Sequence, residues 1–306
     1  MSSILTNCPL CEGQQHEQIY LAKDRHYGIS GLYRYVRCVE CSLVFLNPMF
    51  SAEELGSLYP TDYYSYQDNS RRSRWKDLLR TALHFHVQTL DPKFPAPGKM
   101  LDLGCGSGWF MLTMQAQGWE THGVEISAAA AELGHKSSGL NIFSGTLDQA
   151  NYPSEFFDYV RSNHSFEHIS CPSGTLNEIH RILKPGGKVL IGVPNIDSLN
   201  AKLFQQYWWY LGAPVHPFNY SAQTLSRLLQ KHQFNIQQIN YNSDFSGILG
   251  SIQIFLNRAN GNKSSQGWLI NNPLLKVPSH WAAKLIDLFR LGDAIEIVAI
   301  KRGSTE

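Results

Sequence analysis

The chain has 306 residues, 43% hydrophobic and 17% charged, with a formal net charge of +1. That balance excludes a disordered chain and gives no overall field to draw in nucleic acid or an anionic surface. The start, MSSILTNCPLCEG, has neither the basic nor the apolar region of a secretory signal, and no apolar run reaches membrane-spanning length, so a soluble cytoplasmic protein of one or two domains is expected.

Cys8-Pro-Leu-Cys11 and Cys38-Val-Glu-Cys41 are two CxxC knuckles with 26 residues between them. Such spacing turns both sulfurs of a knuckle toward one point, and two knuckles supply four thiolates for a tetrahedral ion. Disulfides suit a cytoplasmic chain poorly. We therefore expect zinc on Cys8, Cys11, Cys38 and Cys41, in a ribbon-like lobe over residues 1–50. Four protein ligands leave no open coordination position, so this zinc is structural. The stretch YRYVRCVECSLVF alternates as a strand and tight turn do. Cys105 and Cys171 lack CxxC partners and read as small buried residues or bystanders, not as nucleophiles.

A connector follows over 51–97. It holds a short helix from Ser51, a tyrosine-rich loop, a basic helical pattern over 71–90, and the proline-rich DPKFPAPG. From residue 98 to 306 strand and helix alternate. KMLDLG is a strand, WFMLTMQAQG a helix stopped by Gly118, and ETHGVE a strand. SAAAAELGHKSSG is a helix capped by Ser127 and Gly139. NIFSG and FFDYVRSN are strands. SGTLNEIHRILKPGG is a helix ended by Pro185-Gly186-Gly187, and KVLIGVP a strand. A helix SAQTLSRLLQKHQ, a strand FNIQQINY, the amphipathic stretch 273–291 and a last strand AIEIVAIKR complete the chain. The alternation predicts an α/β fold, a largely parallel sheet with helices on both faces. Ligands of such sheets bind beyond the carboxyl ends of the strands, where Asp102–Gly108, Glu125, Asp148 and Asn163–His168 fall. The apolar face of 273–291 is expected to pack on the core; contact with a membrane surface or a lipid-linked substrate is the alternative.

The first strand of this series ends in Asp102-x-Gly104-x-Gly106-x-Gly108. A dinucleotide fingerprint would be GxGxxG. Here the glycines alternate and a carboxylate precedes them, which repels a pyrophosphate but attracts an ammonium group. Glu125 closes the next strand and can take both ribose hydroxyls. The loop thus prefers a nucleoside with a positively charged tail. LDLGCGSGWF, HGVEIS, FDYVRSNHSFEHI and ILKPGGKVLIGVP together resemble the successive motifs of class I S-adenosylmethionine-dependent methyltransferases, closely over residues 98–195. The resemblance implies a Rossmann-like sheet and a role for each matching residue. Gly104, Gly106 and Gly108 would admit the methionine portion of the cofactor, and Asp102 would face its amino group. Glu125 would hold the ribose. Leu147 and Asp148 would flank the adenine, and Asn163 and His164 would line the sulfonium side. The zinc knuckles and the stretch from Ala201 to Leu229 are similar to methyltransferases of bacterial surface-polysaccharide clusters, which implies a small-molecule or glycosidic acceptor.

An oxygen or carbon acceptor needs a base. His164 and His168 in NHSFEHI and His216 in APVHPFNYS are the candidates, since imidazole takes a proton near neutral pH. Glu167-His168 also resembles the Glu-His pair of quinone-pathway O-methyltransferases. Their additional glutamate, three positions before the pair, is replaced here by His164, which argues against metal assistance. Tyr207, Trp208, Trp209 and Tyr210 form an aromatic block, either core or a stacking wall for a ring substrate. Two other classes stay open on sequence alone: a nicotinamide oxidoreductase, and a non-catalytic module using the zinc knuckles as a platform. No nucleic-acid partner is expected.

Overall fold

The computed structural model describes residues 3–58, 90–259 and 264–303. The tyrosine-rich loop and, except for Leu90, the basic pattern over 71–90 lie outside the described residues. Strands β1 (His16–Ala22), β2 (Tyr33–Cys38) and β3 (Val44–Leu46) run antiparallel in the N-terminal lobe. Helix α1 (Ala52–Ser57) begins where expected, because Ser51 and Glu54 form a reciprocal capping box.

The larger sheet is built from β4 (Lys99–Leu103), β5 (Glu120–Glu125), β6 (Ile142–Ser144), β7 (Phe157–Asn163) and β8 (Leu183–Pro194). Helices α2 (Trp109–Gln115), α3 (Ala128–Ser138) and α4 (Pro172–Ile182) connect them. After β8 come α5 (Leu199–Phe204), two short 3-10 turns over 205–211, β9 (Phe218–Asn219), α6 (Ala222–Lys231) and β10 (Phe234–Tyr241). Helices α7 (Phe245–Leu256), α8 (Trp268–Asn271) and α9 (Pro273–Leu288) precede the last strand, β11 (Ala294–Lys301). The seven-stranded order is β10-β11-β8-β7-β4-β5-β6, with β11 antiparallel to both neighbours and the pairs from β8 to β6 parallel. Strand–helix alternation therefore produces the parallel-dominated sheet it predicts. Ser127 and Gly139 cap α3 as expected, the latter in the left-handed region.

Two expectations need correction. The helix over 173–187 does not run to Pro185-Gly186-Gly187. It ends at Ile182, Leu183 is already extended, and the Leu-Lys-Pro-Gly-Gly stretch lies in β8. Proline disfavours helical angles in the residue before it, and the parallel register with β7 shifts across this stretch, from Phe157↔Leu183 to Tyr159↔Lys188. The second correction concerns 273–291. It is a helix, but its apolar face does not pack on the core: Leu274, Leu285 and Leu288 are 81%, 58% and 79% exposed, whereas His280 is buried.

The zinc-type lobe does not end at residue 50. Strand β9 completes its sheet in the order β1-β2-β3-β9, with Phe45 opposite Phe218. Leu10, Val36, Leu43 and Phe45 share one continuous apolar cluster with Leu101, Val160, Ile191 and Phe218. Among the described residues no helix is long and apolar enough to cross a membrane.

Candidate active site and metal centre

The carboxyl ends of β4, β5, β7 and β8 lie together at one edge of the sheet. Alternation along β4 sends Leu101 and Leu103 into the main core and Met100 into a second cluster on the opposite face. Asp102 therefore shares Met100's face, where the register puts it beside Arg161 of β7. The Arg161 guanidinium lies 3.3 Å from Asp102 and 3.7 Å from Asp91, and stacks 3.8 Å from the Phe110 ring centroid. Asp102 is thus part of a buried ion pair that sequence reading missed. An arginine inside a strand expected at the centre of the sheet was the available signal, since a buried cation needs a partner. Burial raises the Asp102 carboxyl, and Arg161 acts against that rise.

After Leu103 the backbone turns sharply. Gly104, Gly106 and Gly108 all have positive φ, at 77°, 55° and 82°, angles that a side chain makes costly. The Gly106 N–H donates to Glu125 Oε2 at 2.8 Å, and the Ser127 N–H donates to Oε1 at 2.9 Å. Glu125 thereby knits the glycine loop to the end of β5. Its carboxylate can accept about four hydrogen bonds, so capacity for two ligand hydroxyls remains. Asn163 ends β7 and its Oδ1 is buried without a hydrogen-bond partner, an acceptor that a bound group would satisfy. Leu147 is buried in the main core cluster and Asp148 is exposed at the same end of the sheet. These donors and acceptors suit a nucleoside cofactor.

The three histidines proposed as bases converge. His164 and Glu167 approach to 3.7 Å, and the His168 and His216 ring centroids are 4.6 Å apart. His168 Nδ1 donates to Val215 O at 2.8 Å and His216 Nδ1 to Tyr210 O at 3.0 Å. Both backbone acceptors fix the tautomer and leave Nε2 as the basic nitrogen. Glu167 is 2% exposed and its Oε2 has no hydrogen-bond partner. Burial alone would raise its carboxyl; contact with His164 and the charges of His168 and His216 instead hold it down to about 2. Burial opposes charging His164, and the Glu167 carboxylate more than offsets this, raising that imidazole. Glu167, His168 and His216 each offer a ligand atom within 4.8 Å of the others. One carboxylate and two imidazoles are also donors suited to a divalent transition-metal ion. No local pattern in the chain hints that His216, far along it, joins the pair.

The roof over this end comes from the lobe and the 205–211 turns. Asp24 is fully buried and accepts from the N–H groups of His26, Tyr27 and Ile29, which shapes the loop. His26 in turn meets Trp209 O at 2.9 Å. Trp208 is 2% exposed and its indole N–H donates to Asp293 at 2.8 Å. It is core, not a stacking wall. Tyr210 donates its hydroxyl to Asp244 at 2.8 Å.

His216 carries a pH consequence. Burial first, then the neighbouring His168, push its imidazole down to about 3. The unfolded imidazole takes its proton near the ordinary value of 6.5. Between those two values the unfolded state holds the extra proton, so stability falls as pH drops through that window. The slope is at most about 1.4 kcal/mol per pH unit from this group. Denaturant midpoints measured from neutral to mildly acid pH should fall less steeply in His216→Asn than in wild type. Identical pH dependence of the two proteins would show that His216 does not titrate differently on folding.

In the lobe, the four cysteine sulfurs lie within 4.8 Å of one another, with Cys8–Cys41 and Cys11–Cys38 each at 3.5 Å. A tetrahedral zinc ion with bonds of about 2.3 Å needs sulfurs roughly 3.8 Å apart. The two knuckles fold alike. Glu12 N donates to Cys8 O and Ser42 N to Cys38 O, both at 2.9 Å, with Glu12 and Ser42 at positive φ. Burial pushes the Cys8 thiol up to about 11 and raises Cys41 as well. Only a cation would let buried sulfurs this close ionise together, and the donor set fits zinc.

A methyltransferase domain model matches residues 68–239 of the chain. An uncharacterised protein of Methanocaldococcus jannaschii is 26% identical over 133 residues, 44% of this chain and 62% of that protein. A ubiquinone biosynthesis O-methyltransferase of Pseudomonas syringae pv. tomato is 32% identical over 116 residues, 36% of this chain and 50% of the enzyme. The chain thus spans about 46–62% of the length of the curated relatives it matches. Among solved structures, one chain from the Haloferax volcanii complex of the Trm112 methyltransferase activator with a methyltransferase superposes with a TM-score of 0.51. At 15% identity, over 76% of this chain and 95% of that one, the likeness is one of fold.

Proposed function

This chain belongs to the methyltransferase domain family, and on that premise we propose that it moves a methyl group from S-adenosylmethionine to a small-molecule acceptor. The observation that carries the reading is the Gly106–Glu125 hydrogen bond, which knits the glycine loop to β5 beside the histidine cluster. The glycine loop follows β4, Glu125 ends β5 and His168 follows β7, and these three strands are parallel neighbours, so cofactor and base share one edge of the sheet. When bound, the cofactor supplies an electrophilic methyl on a sulfonium. Glu125 takes the ribose hydroxyls, Gly104, Gly106 and Gly108 let the backbone approach, and Asp102, held by Arg161, carries negative charge beneath the loop. Leu147 and Asp148 bound the adenine side, and Asn163, at the end of β7, lies on the sulfonium side. His168 takes the acceptor's proton at Nε2; Glu167 offsets the charge that forms, and His164 and His216 complete its surroundings. The roof excludes water and aligns the acceptor.

The acceptor we favour is a sugar or glycoconjugate methylated on oxygen. The likeness of the zinc lobe and of residues 201–229 to surface-polysaccharide methyltransferases supports the sugar. The O-methyltransferase named for ubiquinone biosynthesis supports oxygen as the atom attacked. Incubation with labelled S-adenosylmethionine and a host extract, followed by identification of the labelled product, tests this. A labelled macromolecule instead of a small molecule or glycoconjugate would overturn the acceptor class.

Gly106→Val and Glu125→Ala should each weaken S-adenosylmethionine binding in calorimetry by about 1.5–3 kcal/mol. Unchanged affinity in both would sink the cofactor assignment. Tight binding of a nicotinamide dinucleotide in its place would move the chain to hydride chemistry.

A further inference from the structure

Helix α9 is amphipathic the wrong way round for a core helix. Its polar side chains face the body. Lys284 donates to Asn242 at 2.8 Å and meets Asp287 at 3.3 Å, and Asp287 accepts from the Ser243 hydroxyl at 2.6 Å. His280 is buried on the same side. The outward positions Leu274, Val277, Trp281, Leu285 and Leu288 recur at helical spacing and are 37–81% exposed. Phe289 just beyond is 69% exposed. Apolar residues of α5, α7 and α8, such as Leu203, Leu256 and Trp268, are also exposed in the adjoining helical layer. Scattered surface leucines need no explanation, but a contiguous apolar face does.

Charge identifies what covers it. Residues 245–292 hold five Lys or Arg and one Asp, a formal +4 (5 − 1) in a chain of +1 overall. That one acid is spent on Lys284 and Ser243. Arg258 and Arg290 are exposed beside the apolar face, as is Lys202 of α5. Two copies meeting through this face would bring like charges together. An anionic lipid surface offers both what the leucines need and what the cations need. We propose that the outer face of α9 docks on an anionic membrane surface, lying in the interface and not crossing it. The docking layer also backs the roof of the site: Ser251 of α7 accepts from the Trp209 N–H at 2.9 Å. The docking face stands apart from the methyl-transfer reading; a lipid-linked acceptor would join the two.

Co-sedimentation of the full chain with vesicles tests this. Protein is expected in the pellet with phosphatidylglycerol vesicles, much less so with phosphatidylcholine vesicles, and less again at high salt. The double variant Leu285→Asp/Leu288→Asp should lose on the order of tenfold or more in partitioning. Both positions are exposed, so its circular dichroism should match wild type. A second variant, Arg258→Gln/Arg290→Gln, should lower only the phosphatidylglycerol-dependent part. Absence of binding to either vesicle, equal binding to both, or wild-type partitioning of the aspartate variant would each overturn the proposal. So would a concentration-dependent dimer that the aspartate variant abolishes, since the face would then belong to a second copy.

Discussion

Stripping the metal from the four cysteines is expected to unfold the N-terminal lobe and to abolish acceptor turnover, while S-adenosylmethionine affinity stays within a few-fold. The lobe is short, and its described strands bury few residues beyond Tyr35, Val36, Val44, Phe45 and Leu46. A lobe of this size rarely holds itself together without a staple. A structural zinc contributes on the order of 10 kcal/mol, comparable to the whole stability of an ordinary domain, about 5–15 kcal/mol. Loss of the ion therefore exceeds what the strands alone can offset. The damage does not stop at residue 50. Strand β3 pairs with β9, Leu46 N donates to Pro217 O at 2.8 Å, and the Tyr35 hydroxyl donates to His216 O at 3.0 Å. Unfolding the lobe frees the segment that carries His216 and removes the loop that meets Trp209. The glycine loop and Glu125 rest on β4 and β5 of the seven-stranded sheet, whereas β9 belongs to the lobe's own four-stranded sheet, so cofactor binding survives. Cys38→Ser should behave as chelation does. Metal analysis finding no zinc in protein purified without chelator would sink the centre, and full acceptor turnover after chelation would sink the coupling.

The fold is legible wherever local and global signals agree. Strands β4 to β7 are short segments that alternate with helices, with capping residues such as Ser127 and Gly139 between them, and each lies where its residues predict. The Leu-Lys-Pro-Gly-Gly stretch misleads because proline and glycine end helices and also mark irregular strands; only the neighbouring strand's register decides. Helix α7, Phe245–Leu256, escapes notice since Gly247, Gly250 and Ser251 lower its helix propensity. The two glycines are what let Trp209 and Asp293 approach. For α9 the period is visible but its direction is not. Leucines at helical spacing say that two faces differ, and only packing says which one meets the core. In the site, motif residues carry their own spacing and can be read. Arg161, His26 and the convergence of His216 on Glu167 depend on strand register and on a lobe folding back, and neither is written in any local window.

Replacing His168 with alanine is expected to lower turnover by 10²–10⁴-fold, roughly 3–5 kcal/mol of barrier, without weakening S-adenosylmethionine binding. An alcohol is a poor nucleophile until its proton leaves, so a positioned base acts in the transition state and not in cofactor binding. The His168 Nδ1–H is committed to Val215 O at 2.8 Å, which leaves Nε2 with the lone pair a base requires. Glu167 is buried and held down to about 2, so it stays ionised across neutral pH. A fixed negative charge beside the imidazole stabilises the imidazolium that proton transfer creates. Glu167→Gln keeps the shape and removes that charge. It should lower kcat by a smaller factor than His168→Ala, and leave the acceptor's KM nearly unchanged, as loss of a transition-state interaction does. His164 and His216 touch the same carboxylate environment, and their alanine variants should each cost less than His168→Ala. Calorimetry with S-adenosylmethionine on every variant separates lost chemistry from lost binding. Wild-type turnover of the true acceptor by all three histidine variants would show that no histidine is the base. Catalysis would then rest on alignment, or on an acceptor that arrives already ionised.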